Sequence, residues 1–290
     1  MDEQHVPDKS PTYERGKRVL DLALAVPTAV VLSPLLAALA AAVKLESQGV
    51  TGREALASAL HDAEHYALTD YLVALASGVS QGSDQASAKV AELTGLPLEV
   101  VQRNFARIPP GVFIKEFDRV KGQVLSRYDG SIGGPDPSPA SAWPRGPDPV
   151  LDATVPLWTS AFVQYAQSEL GFKTNDTYRL LNREVRGKWD FGTSPTRQGY
   201  AGVLEDVQNA RAANRALEVF IATGYTDLIT PYLAPAYLVS QLTPLEGVSP
   251  ITIEDYAGGH MLYLRPDTRR ALKADVEAMY DKALKSAPQG

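Results

Sequence analysis

The chain has 290 residues, 44% of them hydrophobic, and 28 Lys and Arg against 34 Asp and Glu give a net charge of -6. That length holds one large domain or two ordinary ones, and the apolar content suits a globular core. With an acidic balance and no long basic run there is nothing to neutralise a phosphate backbone, which argues against nucleic acid as a partner; the absence of Cys excludes disulfides, thiolate metal sites and cysteine nucleophiles.

A polar tail, residues 1–18, leads into an apolar run from Leu22 to Val43 that carries no charge over 22 residues. As a helix it would extend roughly 33 Å, enough to cross a bilayer. Pro27 and the pair Ser33-Pro34 predict a kink or break, because proline removes a backbone donor and clashes with the preceding turn. The expected element is a kinked or re-entrant membrane anchor over residues 19–49, with membrane lipid as its partner. A secretory signal cleaved near Ala40-Ala41-Ala42 is one alternative, placing the protein in the periplasm or outside the cell. A buried alanine-rich helix is the other.

From Arg53 to Ser77 there is neither Gly nor Pro, and Leu56, Leu60, Ala63, Ala67, Tyr71 and Ala74 recur at helical spacing, predicting one long amphipathic helix. A second helix is expected from a cap at Ser83 to Gly95. Residues 128–149, dense in Gly, Pro, Ser and Asp, read as a long surface loop. Helices are predicted at about Asp152 to Leu170 and Ala201 to Ala216, with irregular sequence around "EVRGKWDFGT" between them. Leu217 to Gly224 and Ser249 to Gly259, rich in Val, Ile and Thr and ending in glycine, predict two strands. A final helix, with Asp267 as its cap, closes the chain.

Three patterns carry chemistry. "GVSQG", Gly78 to Gly82, fits the G-x-S-x-G turn that presents a nucleophilic serine, which would make Ser80 the nucleophile. That turn needs a strand entering it, whereas the residues before Gly78 continue a helical stripe, so Ser80 reads as a decoy. "HDAEH" places His61 and His65 one helical turn apart with Glu64 between them, a zinc-binding pattern with no identifiable third ligand, so a solvated helix face is expected and no metal. Asp227 follows a predicted strand by three residues and His260 follows the other behind Gly258 and Gly259. An acid and a histidine at neighbouring strand ends can form the carboxylate–imidazole pair that orients a general base.

The words around these residues are familiar. "ALEVFIATGYTDLITPYLAPAYLVSQL" with "ITIEDYAGGHMLYLRPDTRRALKADVEAMY" closely resembles the end of the serine carboxypeptidase family, especially its bacterial branch, and the resemblance runs back through "WDFGTSPTRQGYAGVLEDVQNA" and "VPLWTSAFVQYAQSELGF" to cover about residues 51–284. It implies an α/β fold: the C-terminal part of an α/β-hydrolase with a large helical cap (50–200) and an incomplete sheet in a segment carrying the site (201–290), to which the apolar run adds a hydrophobic membrane helix in front. It implies Asp227 and His260 as catalytic residues, a peptide substrate and no cofactor. The family's Gly-Glu-Ser-Tyr-Gly-Gly elbow and Trp-x-Asn-Gly-Gly-Pro-Gly segment have no counterpart here, so the expected function is a serine carboxypeptidase-like peptidase lacking its nucleophile. The alternative is a membrane-tethered, non-catalytic fragment or fusion product. A third reading comes from "KRVLDLALAVPTAVVLSPLLAALAAAVKLESQG" (17–49), which resembles the anchor of bacterial membrane sugar transferases, although nothing downstream continues that pattern.

Overall fold

The computed structural model describes residues 34–188 and 203–286. The first described helix, α1, covers residues 34–47 and sits at the centre of the core. Leu35, Ala38, Leu39, Ala42 and Val43 are all at most 2% exposed. Tyr71, Val90, Ile108, Phe113 and Leu228 surround it, leaving only a void of about 10 Å³ beside Leu36, Ala37 and Ala40. Among the described residues no helix is long and apolar enough to cross a membrane. The membrane-anchor reading of residues 19–49 is therefore corrected from residue 34 onward, while Leu22 to Ser33 lie outside the described residues. Five of residues 34–43 are alanines, and their small side chains let other helices approach closely enough to bury α1 on all sides.

Four helices follow α1 in the chain, α2 (Arg53–Leu68), α3 (Asp70–Ala76), α4 (Val79–Thr94) and α5 (Leu98–Arg103), of which α3 and α4 meet it through Tyr71, Val90 and Thr94. The six residues of the predicted stripe, Leu56 to Ala74, are buried as expected, yet the single long helix breaks at Thr69. There the backbone leaves helical geometry (φ -120°, ψ -96°), and the Thr69 hydroxyl donates to the His65 carbonyl at 2.7 Å. The break redirects the chain so that α3 packs along α4 while the buried stripe continues. Helix α4 starts four residues before the predicted cap Ser83, which is instead buried inside it. Its predicted end holds, with Gly95 in the left-handed conformation (φ 73°) that glycine adopts without strain.

After α6 (Pro110–Glu116), the predicted loop 128–149 contains a strand, β2 (Gly133–Pro135), paired antiparallel with β1 (Gln123–Leu125). Helix α7 (Leu151–Ser168) matches its expected bounds within two residues. Helix α8 (Arg183–Lys188) occupies the start of the stretch read as irregular, whose remainder lies outside the described residues. Helix α9 (Leu204–Ala213) precedes β3 (Phe220–Gly224), α10 (Leu233–Ser240) and β4 (Thr252–Tyr256). Strands β3 and β4 pair in parallel, Gly224 opposite Tyr256. Helix α11 (Pro266–Ser286) closes the chain, with Asp267 inside its first turn.

The expected α/β class is corrected as well. The described residues form a mostly helical molecule with two separate two-stranded sheets. A lone pair of strands is marginal in water without cover, and helices supply it here. Arg53 at the start of α2 pairs with Glu254 of β4 and with Asp275 of α11 (2.9 Å), and its guanidinium lies 4.8 Å from the Tyr256 ring centre. The Tyr256 hydroxyl also donates to Asp275 at 2.6 Å.

Candidate functional site

The site forms where the chain leaves β3 and β4. Ladder bonding continues past the strands: the Tyr225 N–H donates to the Tyr256 carbonyl (2.9 Å) and the Thr226 N–H to Gly258 (3.0 Å). The two exit loops thus run side by side. At Gly224 a Cβ would sit 2.5 Å from the Gly259 carbonyl oxygen, so the loops can approach this closely only over a bare Cα. Gly258 holds φ 126°, a conformation that L residues rarely adopt.

This arrangement brings Asp227 and His260 together, as the sequence predicts: Asp227 Oδ2 lies 2.9 Å from His260 Nδ1. Asp227 is buried, and its Oδ1 accepts the Ile229 N–H (2.8 Å) and the Thr230 N–H (3.0 Å) while the Thr230 hydroxyl donates to Oδ2. Burial pushes the Asp227 carboxyl upward, but the bonds from His260, Thr230 and Ile229 outweigh it and hold its pKa below the usual value. The Asp227 hydrogen bond in turn raises His260 above its usual 6.5, against a smaller opposing effect of burial.

Tyr128 completes the frame. Its carbonyl accepts the His260 N–H at 2.6 Å, and its ring meets the imidazole edge-on, 5.6 Å between centres. Next to it, buried Asp129 accepts the Thr226 hydroxyl (2.7 Å), the Ser131 hydroxyl (2.6 Å) and Arg265 (3.0 Å), and Arg265 also pairs with Glu46 of α1. The site is thereby tied to the core helix. Tyr128, Asp129 and Arg265 carry no motif. Thr230 could have been found, because Asp followed by backbone donors two and three residues on is the signature of a side-chain-capped turn.

Ser80 is not part of this site. It lies exposed in the first turn of α4, entered from helix α3 and not from a strand. The glycines of its motif have other work: Gly78 adopts φ 108° ahead of the helix, and a Cβ on Gly82 would overlap the Ala74 carbonyl, so Gly82 lets α3 and α4 touch. His61 and His65 are exposed, and Glu64 between them accepts a bond from the Tyr232 hydroxyl at 2.8 Å. Among the described residues no cluster could hold a metal ion.

A cavity of about 370 Å³ is lined by Trp158 and Phe162 of α7, Tyr178, Leu181, and, just after His260 in the chain, Met261 and Tyr263. That volume and apolar lining fit a small ligand or one large side chain. No family model, no curated protein and no solved structure matches the chain.

The shifted pKa values give a signed pH dependence. Because His260 is raised on folding, its stabilising contribution is complete below 6.5 and is lost as pH rises through the folded value. Because Asp227 is lowered, its contribution is complete above 3.8 and is lost as pH falls through its folded value. Between pH 3.8 and 6.5 both contributions are therefore complete. The melting-temperature difference between the native chain and Asp227→Asn should be largest in that window. In the variant, His260 should also titrate lower by histidine NMR. An unchanged His260 titration would contradict the pairing.

Proposed function

We propose that Asp227 and His260 are the acid–base half of a serine carboxypeptidase-like site acting on peptides with an apolar side chain near the scissile bond. The observation that carries this reading is the 2.9 Å bond from Asp227 to His260 Nδ1. It fixes the tautomer with the proton on Nδ1 and directs the Nε2 lone pair away from the acid, ready to accept a proton, while the carboxylate stabilises the imidazolium that forms. The apolar cavity lined by Met261, the residue after His260, offers an apolar side chain a place next to the same loop.

The nucleophile is the missing half. Among the described residues the His260 imidazole has hydrogen-bond contact only with Asp227 and, at 3.5 Å, with the Thr230 hydroxyl, itself engaged by Asp227. Loss of the serine from a complete triad costs about a millionfold in turnover. The chain alone is therefore expected to leave blocked dipeptides intact. Its imidazole should still accelerate cleavage of an activated ester with an apolar acyl group, such as p-nitrophenyl 3-phenylpropionate. The rate should rise as His260 loses its proton, fall to background in His260→Ala and be unaffected by Ser80→Ala. Ester cleavage equal in the native chain and His260→Ala would remove the reading. Labelling of Ser80 by a fluorophosphonate together with peptide hydrolysis would reinstate Ser80 as the nucleophile.

A further inference from the structure

A second cavity, of about 490 Å³, lies between α6, β1 and the 143–149 loop. Its walls include Ile114, Leu125, Trp143 and Pro144, and two arginines, Arg127 and Arg145, line it. Among the described residues neither guanidinium has an ion-pair or hydrogen-bond partner, whereas the lining carboxylate, Asp148, is fully engaged. It accepts from the Ser126 hydroxyl (2.7 Å) and from the N–H groups of Arg127, Val150 and Leu151 (2.9, 2.9 and 3.0 Å). Those bonds pin the Asp148 end of the loop to residues 126–127 and to the start of α7, and Gly111 lets the indole of Trp143 lie on α6, since a Cβ there would be 3.0 Å from the ring. The cavity is thus preformed, which spares a ligand the cost of ordering it.

We infer that this cavity binds a monocarboxylate with an apolar body, the carboxylate on Arg127 and Arg145 and the body against Trp143 and Pro144. Two arginines and one aspartate leave a local charge of +1, which matches a monoanion better than a phosphate dianion. The forked guanidinium donors suit a planar carboxylate. The lining, mostly proline, aliphatic and aromatic, would not hydrate a polar body. A free organic acid and the C-terminus of a peptide share this chemistry.

Calorimetric titration of the full chain separates the two sources with 4-phenylbutyrate and N-acetyl-Gly-Gly-Phe as probes. Binding of either probe supports the site, and the tighter one names the source. The neutral 4-phenylbutyramide and the double variant Arg127→Gln/Arg145→Gln should each lower affinity at least about tenfold, the usual effect of losing charge-assisted hydrogen bonds. Both arginines are exposed, so the variant should fold. His260→Ala should bind the probes as the native chain does, which keeps the result independent of the proposed peptidase site. The inference is overturned if neither probe binds, if the arginine variant binds unchanged, or if His260→Ala abolishes binding.

Discussion

Leu39→Asp should abolish the cooperative fold, and Leu39→Ala should weaken it by about 3 kcal/mol. Leu39 is fully buried, within a helix enclosed by α3, α4, α6 and the segment at Leu228. Truncation to alanine removes a large apolar contact and leaves a void where close-packed neighbours cannot collapse. An ionised aspartate adds several kcal/mol of uncompensated desolvation, comparable with the whole stability of an ordinary domain. Circular dichroism melts and amide NMR dispersion check both variants. If Leu39→Asp melts like the native chain, α1 is not the core element described above, and burial would no longer explain the apolar run.

That run shows where sequence reading reaches its limit. Hydropathy records that residues 22–43 avoid charge, but it does not record what satisfies them, because lipid and a surrounding shell of helices impose the same requirement. Alanine content was the informative signal from residue 34 onward, since small side chains serve close helix packing. The break at Thr69 was hidden for a related reason. The burial stripe continues through it unchanged, so periodicity sees one helix where the backbone makes two. Ser83 looks like a cap because it is a capping residue type just after Gly82, but Gly78 precedes the first helical residue and Gly82 marks a helix contact inside α4.

The carboxylate–imidazole pair was legible because both partners stand a few residues beyond β-branched strands, and parallel pairing places such exits side by side. The rest of the site was not. Tyr128 contributes a carbonyl and a ring face, and Asp129 anchors hydroxyls of the neighbouring loop, all from a segment whose Gly and Pro content says only that regular structure is scarce. Backbone acceptors leave no residue signature. The α/β expectation failed because two strands predicted correctly do not define a sheet: what covers β3 and β4 is a set of long-range contacts, such as Arg53 with Asp275, 222 positions apart.

Gly259→Ala should damage the candidate site more than any loss of a single polar group in it. A Cβ at this position would lie 2.5 Å from Asp129 Cα and 2.6 Å from Asp129 Cβ, and closer still to the Tyr128 carbonyl oxygen. These atoms cannot yield cheaply. The Gly130 N–H is bonded to the Thr226 carbonyl at 2.8 Å, and the Asp129 carboxylate is held by Thr226, Ser131 and Arg265. The 128–131 loop must therefore retreat as a unit, giving up the 2.6 Å bond from the His260 N–H to Tyr128 and the ring contact beside it. Overpacking of this kind with one lost hydrogen bond costs about 2–4 kcal/mol, or a fall in melting temperature on the order of 10 °C. The same retreat frees the imidazole to rotate away from Asp227, so ester cleavage should drop toward that of His260→Ala and the His260 titration should move down, as in Asp227→Asn. A melting temperature within a degree or two of the native value, with the His260 titration unmoved, would show that the two loops do not approach this closely and that Tyr128 does not hold the histidine.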